Sequence, residues 1–149
     1  MENIKWENID NKDGFYLTVY MPSAIASSSA EYGSFFIAKF PCEIMYVDEV
    51  HDVAGTSANP VTLQVQRLKS GIALDSGDDI LVTPFDLKGT ARVVVSKSST
   101  LLQNKILKEG DRLALKDTGT LTSLSDVCVT IYMKPLNRGH YRATTYTTN

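Results

Sequence analysis

VCVTIYM, residues 127–133, is the stretch on which the fold turns. Val127, Val129, Ile131 and Met133 fall on one side of an extended chain and Cys128, Thr130 and Tyr132 on the other, with Pro135 two residues on to stop a strand. The same period of two recurs outward from it. In FYLTVYM, residues 15–21, Phe15, Leu17, Val19 and Met21 alternate with Tyr16, Thr18 and Tyr20, which predicts a strand partly covered on both faces. In VTLQVQ, residues 61–66, Val61, Leu63 and Val65 alternate with Thr62, Gln64 and Gln66, which predicts one dry and one wet face. Further short runs rich in β-branched and aromatic residues cover Ser34–Phe40, Glu43–His51, Ile80–Phe85 and Ala91–Ser96, and Arg112–Asp117 reads as one more short strand. Turn-forming clusters separate them: AGTSANP at 54–60, LDSGDD at 74–79, LKGT at 87–90, KEGD at 108–111 and DTGT at 117–120.

About eight short strands and no amphipathic helix long enough for a crossover predict an all-β, antiparallel β-sandwich or jelly-roll domain over residues 15–136. Only STLLQNKIL, residues 99–107, has the look of a short helix. PSAIASSSAEYG at 22–33 reads as a loop, and residues 1–14 and 137–149 read as extended terminal arms, because neither end alternates.

The composition suits a globular chain, with 43% hydrophobic and 21% charged residues, and excludes wholesale disorder. A net charge of −2 provides no positive field, so nucleic acid is not expected as a main partner. The opening MENIKWENIDNKDG is polar and acidic where a secretory leader would be basic and then apolar, and no run is long enough for a membrane helix. A soluble protein made in a cytoplasm is the expectation.

Residues for catalysis are scarce. His51, in EVHDVAG, is expected at a strand end, bonding Asp52 or solvent, and His140 is expected to be exposed. Neither has the neighbours a metal site or a nucleophile–base pair requires, and Cys42 and Cys128 lie in apolar runs as buried thiols. Asp75, Asp78 and Asp79 resemble a hard-cation loop only in part, lacking spaced ligands, and read as a β-turn. No enzyme, no cofactor and no metal is expected. Interaction chemistry gathers instead at the ends. Trp6 is a candidate interface anchor, and Arg138, Tyr141 and Arg142 mix cations with aromatic faces.

Three segments carry a family resemblance: FFIAKFPCEIMYVDEVHDVAGTSANPVTLQVQRLKSG (35–71), LVTPFDLKGTARVV (81–94) and LKEGDRLALKDTGTLTSLSDVCVTIYMKPL (107–136). Within them stand Glu49-Val50-His51 before the Ala54-Gly55-Thr56 turn, Phe85 to Thr90, and Gly110 to Leu115 leading into Thr118-Gly119-Thr120-Leu121. In this order they resemble small bacteriophage virion structural proteins of the capsid decoration, head-fibre and tail β-sandwich kind. The resemblance implies a homotrimer on the virion, made in the bacterial host cytoplasm, that attaches to the major capsid protein or other virion proteins without catalysis. The alternative is a receptor- or glycan-binding fibre or tail module using Tyr32 and the loops around Asn59 and Asp78.

Overall fold

A computed structural model describes residues 14–21, 33–98 and 104–136. Over these residues the chain forms ten strands and no helix: β1 (Phe15–Met21), β2 (Ser34–Ile37), β3 (Cys42–Val50), β4 (Thr62–Leu68), β5 (Asp78–Asp79), β6 (Phe85–Asp86), β7 (Val95–Ser98), β8 (Ile106–Leu107), β9 (Arg112–Thr118) and β10 (Val127–Pro135). The first sheet has the order β1-β10-β3-β7, with β8 also on β3, and the second β2-β9-β4-β5, with β6 also on β4. Every pairing is antiparallel.

Ten segments fill eight strand positions, because β7 and β8 share one edge of β3 while β5 and β6 share one edge of β4. Taken as eight positions, consecutive strands cross from one sheet to the other at every step except β4 to β5, an arrangement of the jelly-roll kind. The fold class expected from the alternation is therefore the fold observed. Alternation also builds the core. Ile44, Val47, Val129, Ile131 and Met133 from the first sheet meet Leu63, Val65, Leu113 and Leu115 from the second, all fully buried, and each such side chain contributes roughly 1.5–3 kcal/mol relative to exposure. At the end of β9, Gly119 has φ +93°, and a Cβ there would run into the Pro60 carbonyl, so this turn needs glycine.

Four of the segments read from sequence differ in the structure. Of the segment 80–85 only Phe85 lies in a strand and the rest is a bulge: between the Gln66–Asp79 and Leu63–Phe85 pairs, Gln64 and Val65 face the five residues Ile80 to Pro84. The strand expected over Ala91–Ser96 begins only at Val95 and runs to Ser98. Within 99–107 the described residues are not helical, and Ile106–Leu107 pair with β3. The wet face of VTLQVQ is closed, since Gln64 and Gln66 are both buried. The physical reason is the bulge. Gln64 Oε1 accepts from the Leu81 and Val65 N–H groups, each at 3.0 Å, and its Nε2 donates to the Leu81 carbonyl at 2.8 Å. The carboxamide thus satisfies backbone groups that the bulge removes from the ladder.

Candidate binding surfaces

The outward face of the first sheet is assembled by register. Tyr16 of β1 stands opposite Tyr132 of β10, which stands opposite Tyr46 of β3. Their rings pack in one row across three strands, with centroids 4.8 Å and 5.1 Å apart, and the Tyr16 and Tyr46 hydroxyls lie 3.2 Å apart. That hydrogen bond is the main cause that pushes the Tyr46 phenol up to about 12. The Gly14 N–H donates to the Tyr132 hydroxyl at 3.2 Å, and a Cβ at Gly14 would strike the Tyr132 ring.

The next row is Thr18, Thr130, Asp48 and Ser96, in which the two threonine hydroxyls lie 3.1 Å apart and the Ser96 hydroxyl donates to Asp48. The third row holds Tyr20, Cys128 and Val50. Tyr16 and Tyr20 are 61% and 71% exposed, so β1 is covered on one face only, against the expectation of two partly covered faces. Cys128 is half-buried rather than buried, because it belongs to this outward face. Cys42 is buried as expected, and burial, with Asp111 nearby, pushes its thiol up to about 11. A hollow of about 210 Å³ lies on this face among Asp48, Val50, Val94, Cys128 and Thr130.

At the edges of the sandwich the two sides differ. On one, Phe15 of β1 packs on Phe36 and Phe40, while Leu17 and Val19 remain only partly buried. On the other, β7 faces the bulged segment of the second sheet across a cleft of about 400 Å³ lined by Leu81, Val82, Thr83, Ser96, Lys97 and Ser98. Val82 in its lining is exposed, and so are Val93 and Val94 ahead of β7 and Val95 at its start. Lys97 bridges the mouth, donating to the Thr83 and Pro84 carbonyls at 3.0 Å and 2.9 Å with its ammonium over the Phe85 ring.

The histidine at 51 is not where sequence reasoning put it. His51 is buried, with Nδ1 2.8 Å from Glu49 Oε1 and Nε2 3.1 Å from the Gly89 carbonyl. Asp52 turns outward and accepts instead from Arg92 at 2.8 Å. Burial holds the Glu49 carboxyl above its ordinary range, and the His51 hydrogen bond works in the opposite direction. The His51 ring joins the end of β3 to the 87–90 turn and is held by Glu49 Oε1, while the buried Glu49 Oε2 has no hydrogen-bond partner among the described residues.

The acidic turn is likewise engaged. Asp78 accepts from Arg67 at 2.6 Å and Asp79 from Gln66 at 2.8 Å. The Arg67 guanidinium holds the Asp78 carboxyl below its ordinary range. Among the described residues no three His, Cys, Asp or Glu side chains group as a metal site. Trp6, Arg138, Tyr141 and Arg142, with Tyr32 and His140, lie outside the described residues. The tyrosine row was not anticipated, although its three members stand in runs already read as strands. What sequence lacks is the register that aligns them. Compared with protein family models, curated proteins and solved structures, the chain matches none.

Proposed function

We propose that the chain is a jelly-roll subunit of a bacteriophage virion surface, of decoration or head-fibre type, that works by assembly rather than by turnover. It associates with copies of itself as a homotrimer and attaches to the major capsid protein or another virion protein after synthesis in the host cytoplasm. The observation that carries this reading is the outward face of the first sheet. Three tyrosines in ring contact, flanked by the exposed Tyr20 and by hydroxyls, form a stiff and nearly uncharged platform. Aromatic side chains held in place by neighbours lose little entropy on docking, which is why tyrosine is common at interface centres. The jelly-roll topology supports the reading by analogy of fold. The buried Glu49–His51 pair supports it too, since its acid–base groups are turned to structural bonds.

The test uses the full-length chain and phage particles assembled without it. Co-sedimentation is expected for the wild-type chain and at least a tenfold weaker association for Tyr20→Glu, which places a charge on the platform at a highly exposed position. Equal binding by both forms would remove the platform from the account, and no binding by either would remove virion attachment.

A glycan-binding reading has one observation in its favour: the hollow beside Tyr20 joins a carboxylate and a hydroxyl, Asp48 and Thr130, to the apolar Val50 and Val94. At about 210 Å³ it is smaller than the roughly 300–1,000 Å³ typical of drug-sized ligands, so it suits a single sugar ring. The loop sites first considered are less suited, because Asp78 is engaged by Arg67. Glycan-array signal without particle association would favour this second reading.

A further inference from the structure

The first sheet has two edges without a partner among the described residues, β1 on one side and β7 on the other. Strand edges in natural proteins are normally blunted by charges, prolines or bulges. The second sheet shows all the protection its β4 side needs: a bulge at 80–84 and aspartates at 78, 79 and 86. The β1 edge has none. FYLTVYM is seven residues long, pairs with β10 without a break, and contains no charge and no proline. On the β7 side, Lys97 is the only charged residue from Val93 to Ser98, and it is turned toward the Thr83 and Pro84 carbonyls.

We propose that copies of this chain join head to tail through these two edges, β1 of one copy pairing antiparallel beside β7 of the next. Strand direction permits it. In the order β1-β10-β3-β7 each neighbour is antiparallel, so the first and last strands run in opposite directions and a copy in the same orientation continues the alternation. A heterologous contact of this kind closes a ring when the rotation allows.

Shape agrees with direction. The β7 side offers the cleft of about 400 Å³, bridged at its mouth by Lys97, and the exposed Val95, whose side chain lies on the interior side of the sheet. The β1 side offers Leu17 and Val19, interior-facing and only partly covered within their own copy. Pairing the edges places those two side chains over the cleft, where each chain buries what the other leaves open. This inference rests on the self-association in the proposed function and names the surfaces that carry it.

Disulfide trapping in purified full-length protein tests it. In a Cys128→Ser background, Ser96→Cys is combined in turn with Tyr16→Cys, Thr18→Cys or Tyr20→Cys, three outward positions spaced by the period of a strand. Within one copy Thr18 and Ser96 stand in one row but three strand spacings apart, about 14 Å, well beyond disulfide reach, so any bridge joins two copies. One of the three pairs is expected to give a reducible ladder ending at the closed ring, and light scattering of the wild-type chain at micromolar concentration is expected to exceed one chain mass. A monomer, or a multimer that none of the three pairs traps, overturns the proposal. So does a dimer trapped by Thr18→Cys alone, which would mean like edges pair with like. Because trapping reads contact between copies and co-sedimentation reads attachment to particles, failure of one leaves the other standing.

Discussion

The two sheets of this jelly roll treat their backbone groups differently. The second sheet ends in the bulged segment 80–84, where the Gln64 carboxamide takes up the N–H and C=O of Leu81 and the neighbouring aspartates carry charge to the rim. The first sheet ends in a smooth, uncharged β1 and turns a tyrosine row outward. Polar groups satisfied inside the chain leave an edge inert, whereas an edge left regular and apolar remains competent to pair. The contrast is between two edges, the β4 edge whose polar groups are met within the chain and the regular β1 edge on which the proposed assembly rests.

The strongest way to break the inert half is to remove the histidine that ties β3 to the 87–90 turn. His51→Ala leaves the buried Glu49 carboxyl without its partner, and loss of one member of a buried pair costs about 3–5 kcal/mol. Chemical denaturation should show this as a lower midpoint at unchanged slope. Stability equal to wild type would mean that the pair does not hold the turn. Gln64→Ala is the next largest. It abandons the Leu81 N–H and C=O at the bulge, at a cost on the order of 1–3 kcal/mol, and amide hydrogen exchange should rise at Leu81 and Val65 before the rest of the sheet.

These two residues also mark where sequence reading ends. The alternation in residues 15–21 and 127–133 lies within β1 and β10, because a regular strand buries one face wherever its neighbours lie, and the run 112–117 lies within β9. Gln64 defeats the same logic. Its polarity signals a wet face, yet its partner is the backbone of Leu81, and a bulge seventeen residues away leaves no trace in the local pattern. His51 fails for the same cause, with Gly89 thirty-eight residues on. Likewise ILVTPF and ARVVVS have strand composition, but whether an edge stays continuous depends on its partner strand. The tyrosine row needed register between three strands distant in sequence, and a slip of one residue would have pointed every ring inward.

On the first sheet, Tyr132→Leu sharpens the comparison. It removes both ring contacts of the central tyrosine while keeping an apolar side chain, and each aromatic pair contributes about 0.5–1.5 kcal/mol beyond area. A loss of about 1–2 kcal/mol is expected. Near-ultraviolet dichroism should fall with it, since the fixed tyrosine environment goes. A variant as stable as wild type with an unchanged spectrum would mean the row is juxtaposition without packing energy.

The smallest effect at neutral pH separates charge from hydrogen bonding at the buried pair. The Gly89 carbonyl can only accept, so His51 Nε2 donates to it and Nδ1 faces Glu49. Because burial raises the Glu49 carboxyl above its ordinary range, the folded state holds the carboxyl proton more tightly than the unfolded chain does. The resulting stability is full below the ordinary carboxyl range and is lost as pH rises through the raised folded value. Glu49→Gln supplies a carboxamide that donates to Nδ1 and cannot ionise. Its stability relative to wild type should therefore improve from pH 4 toward pH 8, and groups that do not contact residue 49 cancel in that difference. A difference independent of pH would show that the Glu49 carboxyl titrates in the fold as it does in the open chain, and burial would then have to be offset by more than the His51 contact.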